Sequence, residues 1–137
     1  MQHKYLDALQ LKAMLLAGSE NLTAYKQLVD ALNVFPVPDG DTGTNMSLTV
    51  QAAAREVENL KKLEITSLAQ AASNGALMGA RGNSGVILSQ LFRGFSHVLE
   101  NADKVDGLII AKAFHNAAEV AYRAVIKPVE GTILTAL

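Results

Sequence analysis

Apolar residues recur at steps of three and four along almost the whole chain, and this period constrains the fold more than any other feature. The helical segments are residues 6–16, closed by Gly18; 22–32, entered through Ser19 as an N-cap; 46–60; 67–78, opened by Ser67; 88–99; and 110–124, broken by Pro128. Residues 131–137 read as the first turns of a seventh helix. No run alternates between apolar and polar residues as a half-buried strand would. The sequence therefore predicts an all-α fold, an antiparallel bundle or helical barrel of seven helices.

Length and composition narrow the class of protein. At 137 residues the chain predicts one domain, 1–137, and its 50% apolar and 18% charged residues exclude disorder. The net charge is -1 and the basic residues are scattered, which argues against a nucleic-acid partner. There is no cysteine, hence no disulfide and no thiolate metal site. Without a signal peptide or an apolar run of about 20 residues, we expect a cytoplasmic protein with no transmembrane segment.

The chain stops on the apolar residues GTILTAL, without a glycine cap or a polar tail. We therefore expect it to be the N-terminal part of a longer protein, with the last helices of the domain missing.

The segment PVPDGDTGTNM, residues 36–46, is the first candidate site. Asp39 and Asp41 flank Gly40, and two ionised carboxylates so close repel each other unless a cation lies between them. Mg²⁺ takes one or two protein carboxylates and keeps water and phosphate oxygens as its other ligands. A calcium EF-hand fails because its twelfth position would be Val50. The alternative is an ordinary Asp-Gly turn in which Asp41 or Thr42 caps the next helix.

Other polar residues surround this loop. Thr42, Thr44 and Asn45 add hydroxyl and amide groups at a helix start, where free N–H groups attract anions. Asn33, six residues before Asp39, offers a further oxygen ligand or simply ends the preceding helix.

The second candidate site is GARGNSG, Gly79 to Gly85, followed by a helix beginning near Ser84. Its glycines allow close approach to a phosphate, and the N-terminal amides of the next helix can receive one. The spacing matches neither a P-loop nor a dinucleotide fingerprint. A simple helix-joining loop is the alternative. The third segment is KPVEGTILTAL, and its plain explanation is that Glu130 and Thr132 cap a helix.

Together, DGDTGTNM, GARGNSG and EGTILTAL resemble the L-subunit-type nucleotide-binding domain of the dihydroxyacetone kinase family. The two longer segments NVFPVPDGDTGTNM and GARGNSGVILSQLFRGF are most similar to the bacterial fatty acid kinase branch. The resemblance implies an antiparallel barrel of eight helices that binds ATP at one end through two Mg²⁺ ions.

Position by position, the resemblance also implies site residues. Asp39 and Asp41 resemble the aspartates that bridge magnesium to the phosphates, and Asn33 stands near the place of the family's third aspartate, with one extra intervening residue. The residues that the resemblance assigns to the nucleotide are Thr44 and Asn45, the second-loop residues Asn83, Ser84 and Gly85, and Thr132 and Ile133 on the adenine side. No catalytic residue is implied beyond the metal ligands.

The function implied is the ATP-binding domain of a kinase that makes an acyl phosphate from a fatty acid presented by a carrier protein. A homodimer through regions outside this chain is a further expectation. The alternatives are the ATP subunit of a dihydroxyacetone kinase and a non-catalytic Mg²⁺–nucleotide scaffold.

Overall fold

The computed structural model describes residues 5–34, 38–102 and 104–125, and these form five α-helices. The helices are α1 (Ala8–Leu32), α2 (Thr42–Glu58), α3 (Ile65–Met78), α4 (Gly82–Glu100) and α5 (Gly107–Ala124). Within these residues the only β-type pairing is an isolated antiparallel bridge between Leu6 and Val105. The predicted all-α class is therefore confirmed. Pro128 and residues 131–137, where a seventh helix was expected, lie outside the described residues.

The prediction of two helices before the acidic loop was wrong, because α1 runs unbroken for 25 residues. Asp7 caps its start by accepting a hydrogen bond from the Gln10 amide, and the Asp7 amide in turn donates one to the Gln10 side-chain oxygen. Gly18 costs only about 1 kcal/mol in a helix interior. Packing of α1 along α2 outweighs that cost, and Ser19 is buried there instead of capping a helix start.

Two other helix starts differ from the predicted ones. Helix α3 begins at Ile65, since Glu64 is its N-cap and Ser67 is the capping-box partner that binds the Glu64 amide. Helix α4 begins at Gly82 and not near Ser84. The last four residues of GARGNSG therefore form the first turn of a helix.

Each helix packs antiparallel to its neighbour in the sequence. Thr44 at the start of α2 donates to Asp30 near the end of α1, and Ser47, further along α2, donates to the Leu22 carbonyl, so that rising numbers on one helix face falling numbers on the other. Helix α3 returns between α2 and α4, and α2 also contacts α4 directly. The described helices thus form an up-and-down bundle in which α2 and α4 run in the same direction.

Two apolar clusters hold the bundle together. The larger one joins all five helices, and Leu11, Leu68 and Leu99 are its largest buried helical side chains. The smaller one lies between α4 and α5, where Leu91 packs against Ala117 and Ala121. The apolar repeats predicted for α2, α4 and α5 supply five of the eleven buried residues of these two clusters, namely Val57, Leu91, Leu99, Ala117 and Ala121. This is expected of core-facing helical positions.

Candidate functional site

The two candidate loops lie together at one end of the bundle, where α2 and α4 both begin. Helix α5 is antiparallel to α4, because Ile87 and Leu88 at the start of α4 share a cluster with Tyr122 and Val125 at the end of α5. The described chain therefore leaves α5 at the same end. Thr132 and Ile133, which the sequence assigned to the nucleotide, follow from there but lie outside the described residues.

The acidic loop presents both carboxylates to solvent. Gly40 has a φ of 67°, a left-handed conformation that side chains rarely adopt, and it turns the chain between Asp39 and Asp41. Both aspartates are exposed. Asp41 stands at the N-cap position of α2, yet its side chain makes no capping hydrogen bond. Among residues 5–34, 38–102 and 104–125, no group donates a hydrogen bond to either carboxylate, which leaves both free to bind a cation.

The last turn of α1 does the capping instead. Asn33 Oδ1 accepts the amides of Asp41 and Thr42, each at 3.1 Å. Asp30 Oδ1 accepts the Thr44 amide at 2.9 Å, and Asp30 Oδ2 accepts the Thr44 hydroxyl at 2.5 Å. The hydroxyl first and the amide second hold the pKa of Asp30 below its ordinary value. These four bonds attach the C-terminal side of the acidic loop to α1.

This capping corrects the expectation that the N–H groups at the start of α2 are free for an anion. The amides of Thr42 and Thr44 already have acceptors on α1. Asn33 does end α1 as its C-cap residue, and its side-chain oxygen is engaged with α2. Its role as a metal ligand stays a prediction.

The second loop is brought to the first by close contact between α3 and α2. A Cβ atom at Gly75 would lie 2.7 Å from the Ala52 carbonyl oxygen, and one at Gly79 would lie 2.3 Å from the Ala52 Cβ. Only glycine allows the two backbones to approach so closely. The end of α3 therefore lies directly on α2, and residues 79–82 follow α2 towards its N-terminus.

The start of α4 then lies against the first two turns of α2. The Arg81 amide donates to the Thr49 hydroxyl at 3.2 Å, and a Cβ at Gly82 would lie 2.3 Å from Asn45 Nδ2. Gly82 has a φ of 65°, so the turn into α4 also requires glycine. Two motifs separated by about forty residues in the sequence thus touch through Asn45 and Thr49.

The first turn of α4 offers amides that α2 does not. Its N-cap residue, Arg81, makes no side-chain capping bond. In the part of the chain that the structure describes, no acceptor takes the amides of Gly82, Asn83 or Ser84. Asn83 is exposed and Ser84 is half-buried, whereas Gly85 is buried against Thr49. The amides of this turn are therefore available to an anion, and the binding of phosphate by Asn83, Ser84 and Gly85 stays a prediction.

The donor set fits magnesium with phosphate. In the described ranges no three His, Cys, Asp or Glu side chains come together as a metal centre. Asp39 and Asp41 are thus a pair without a third acid. Two carboxylates leave most positions of an octahedral Mg²⁺ ion to water and phosphate, which is the usual arrangement in phosphoryl-transfer sites.

Sequence reasoning missed two residues that build the site, Asp30 and Thr49. Asp30 had one signal, because an acid in the last turn of a helix opposes the helix dipole unless something compensates it. Thr49 had none, since its neighbour Val50 already explained the apolar stripe of α2.

The fold and the site together define an all-α domain with a free acidic pair and an open helix start at one end. A model of the DAK2 domain matches residues 36–137. Protein YloV of Bacillus subtilis strain 168 is 55% identical over 135 residues, covering 98% of this chain and 24% of YloV. An uncharacterized protein of Staphylococcus aureus strain USA300 is 55% identical over 122 residues, covering 89% of this chain and 22% of that protein.

This chain belongs to the DAK2 domain family. The family is a kinase family whose domains bind adenine nucleotides. The chain spans about a quarter of the length of the curated relatives that it matches. None of its described helices is both long and apolar enough to cross a lipid bilayer.

Proposed function

We propose that this domain binds ATP with two Mg²⁺ ions and serves a kinase that transfers the γ-phosphoryl group to a carrier-bound fatty acid, giving an acyl phosphate. Membership of a nucleotide-binding kinase family supports the first half. The second half depends on the resemblance of the two loops to the fatty acid kinase branch. Action in the cytoplasm and a homodimer through other regions are part of the same proposal.

The observation that carries the proposal is the free acidic pair beside an open helix start. Asp39 and Asp41 have no hydrogen-bond donor among the described residues, although Asp41 stands where a helix cap would use its carboxylate. The side-chain oxygen of Asn33 caps α2 instead. Two exposed carboxylates that cap no helix are free to bind a cation, which would offset their mutual repulsion.

Within this proposal, each element of the site has its own task. Asp39 and Asp41 hold the metal ions, which offset negative charge on the β- and γ-phosphates when bound. The amides of Gly82, Asn83 and Ser84 receive phosphate oxygens at the start of α4. Thr44 and Asn45 line the approach to the nucleotide, and the family resemblance assigns Thr132 and Ile133 to the adenine side.

The acceptor requires little more than positioning. A fatty acid carboxylate is already ionised at neutral pH, so its attack on phosphorus needs no general base. This agrees with the site as described, where no histidine lies in either loop.

The test compares full-length wild-type protein with Asp39→Asn, Asp41→Asn and the double variant that carries both changes. Glu58→Gln is the matched control. Glu58 is an exposed carboxylate at the other end of α2, about 25 Å away at 1.5 Å per residue. Calorimetry should show magnesium-dependent ATP binding in the wild type and in the control, and a loss of at least tenfold in both aspartate variants. Unchanged affinity in the double variant would remove the metal assignment.

Label transfer from γ-phosphate-labelled ATP identifies the acceptor. Carrier-dependent labelling of a fatty acid supports the proposal, whereas labelling of dihydroxyacetone assigns the other kinase. Binding of ATP without transfer to either acceptor indicates a nucleotide-binding scaffold.

A further inference from the structure

Thr49 joins the two loops through a hydroxyl group that has no access to water. The side chain is fully buried on the second turn of α2. Its hydroxyl donates to the Asn45 carbonyl at 2.8 Å and accepts the Arg81 amide at 3.2 Å. Both bonds end on residues of the two candidate loops, so the hydroxyl has one partner in each.

The contacts around Thr49 restrict the loop further. A Cβ at Gly85 would lie 2.5 Å from Thr49 Oγ1, and one at Gly82 would lie 2.3 Å from Asn45 Nδ2. Gly82 and Gly85 therefore lie against two side chains of α2 without room for a Cβ atom. Because the Arg81 amide is bound, the amides that follow it are directed by the same contact.

We propose that Thr49 is a positioning residue, which sets where the first turn of α4 presents its amides to the phosphates of the nucleotide. The inference rests on the proposed function, since it concerns the phosphate end of the same site. Thr49 itself touches no phosphate. It acts through Arg81, and the amides of Gly82, Asn83 and Ser84 carry the effect because they have no acceptor among the described residues.

The experiment compares three variants of the full-length protein. Thr49→Val keeps the shape of the side chain and removes both hydrogen bonds, and Thr49→Ser keeps the hydroxyl. Ser47→Ala is the matched control, because Ser47 is a buried hydroxyl on the same helix that donates to Leu22 of α1 at 3.4 Å, away from the second loop. Thr49→Cys, with a similar volume and a weak acceptor, replaces the valine variant if that fails to fold.

Two readouts separate positioning from general loosening of the fold. Calorimetry with ATP and magnesium should give about a tenfold weaker affinity for Thr49→Val, the size expected for losing the one hydrogen bond that reaches the second loop. The loss should be less than about threefold for Thr49→Ser and Ser47→Ala. Hydrogen exchange should accelerate at the Arg81 and Gly85 amides, the two hydrogen-bonded amides of this turn, in Thr49→Val alone.

The possible results distinguish a failure of the proposed function from a failure of the role proposed for Thr49. If the wild type binds no ATP with magnesium, the proposed function fails, and the role of Thr49 in it fails as well. If the wild type binds and Thr49→Val binds equally well, the role of Thr49 is wrong while the proposed function stands. If Ser47→Ala weakens binding as much as Thr49→Val, the effect comes from helix α2 in general and the positioning role is refuted.

Discussion

Gly43 is the position at which one added methyl group should damage this protein most. A Cβ there would lie 2.1 Å from the carbonyl oxygen of Lys26 and 2.9 Å from the Val29 Cβ, both on α1. The first contact must lengthen by about 1 Å to reach 3.0 Å, the shortest that real Cβ atoms show. Since the carbonyl is a backbone group, no side-chain rotation can relieve the clash, and α1 must move away from α2.

The cost of Gly43→Ala follows from two opposing terms. Overpacking costs about 1–3 kcal/mol, and a backbone clash belongs at the upper end of that range. Alanine regains about 1 kcal/mol through its helix propensity. We therefore expect a net loss of about 2 kcal/mol in the free energy of unfolding. The same displacement would stretch the bonds from Thr44 to Asp30, so the acidic loop should also lose its anchor.

Gly18→Ala is the control, because Gly18 lies inside α1 with nothing within 4 Å of its added Cβ. It should raise the free energy of unfolding by about 0.5–1 kcal/mol through helix propensity alone. Urea unfolding of both variants, followed by circular dichroism, gives the comparison. If Gly43→Ala proves as stable as Gly18→Ala, the close approach of α1 and α2 at the acidic loop is wrong.

Three further predictions concern single side chains. Because the pKa of Asp30 is lowered in the folded state, the ionised carboxylate stabilises the fold above the unfolded pKa of 3.8, and this stabilisation fades as the pH falls below that value. Asp30→Asn should therefore be less stable than the wild type at pH 7, and the difference in the free energy of unfolding should shrink below about pH 4 in an acid titration. Asp7→Ala removes the capping box with Gln10 and should lower the free energy of unfolding by about 1 kcal/mol, whereas Asp7→Asn should retain most of it in the same urea assay. Leu99→Ala creates a cavity at a side chain that is 2% exposed in the larger core cluster, and calorimetric unfolding should show that the free energy of unfolding falls by about 2–5 kcal/mol. A fall of less than about 1 kcal/mol would mean that α4 is not packed there.

Helix positions followed from the sequence because the signals that create helices are local. The stripe from Met46 to Leu60 predicted α2, and the structure buries Val50, Ala53 and Val57 from it. The boundary at Gly18 was wrong because a glycine opposes a helix only weakly, and the surface of α2 that supports α1 is invisible to a local pattern. Glu64 was missed as the start of α3 because Ser67, its partner, carries the more familiar capping signal.

The pairing of the two loops was decided by tertiary structure. The sequence marks Asp39 and Asp41 as an acidic pair and the stretch around Ser84 as glycine-rich, but it says nothing of the distance between them. Contacts of Gly79 with Ala52, and of Arg81 with Thr49, bring the loops together because two helix backbones can approach closely only where side chains are absent.

Which groups are free to act is likewise a tertiary result. From the sequence, the start of α2 and the start of α4 were equivalent anion sites. In the structure, Asn33 and Asp30 satisfy the amides of α2 from across the helix pair, and the first turn of α4 is left open. Local sequence determines which hydrogen-bonding groups a helix end carries, whereas packing determines whether a neighbouring element has already paired them.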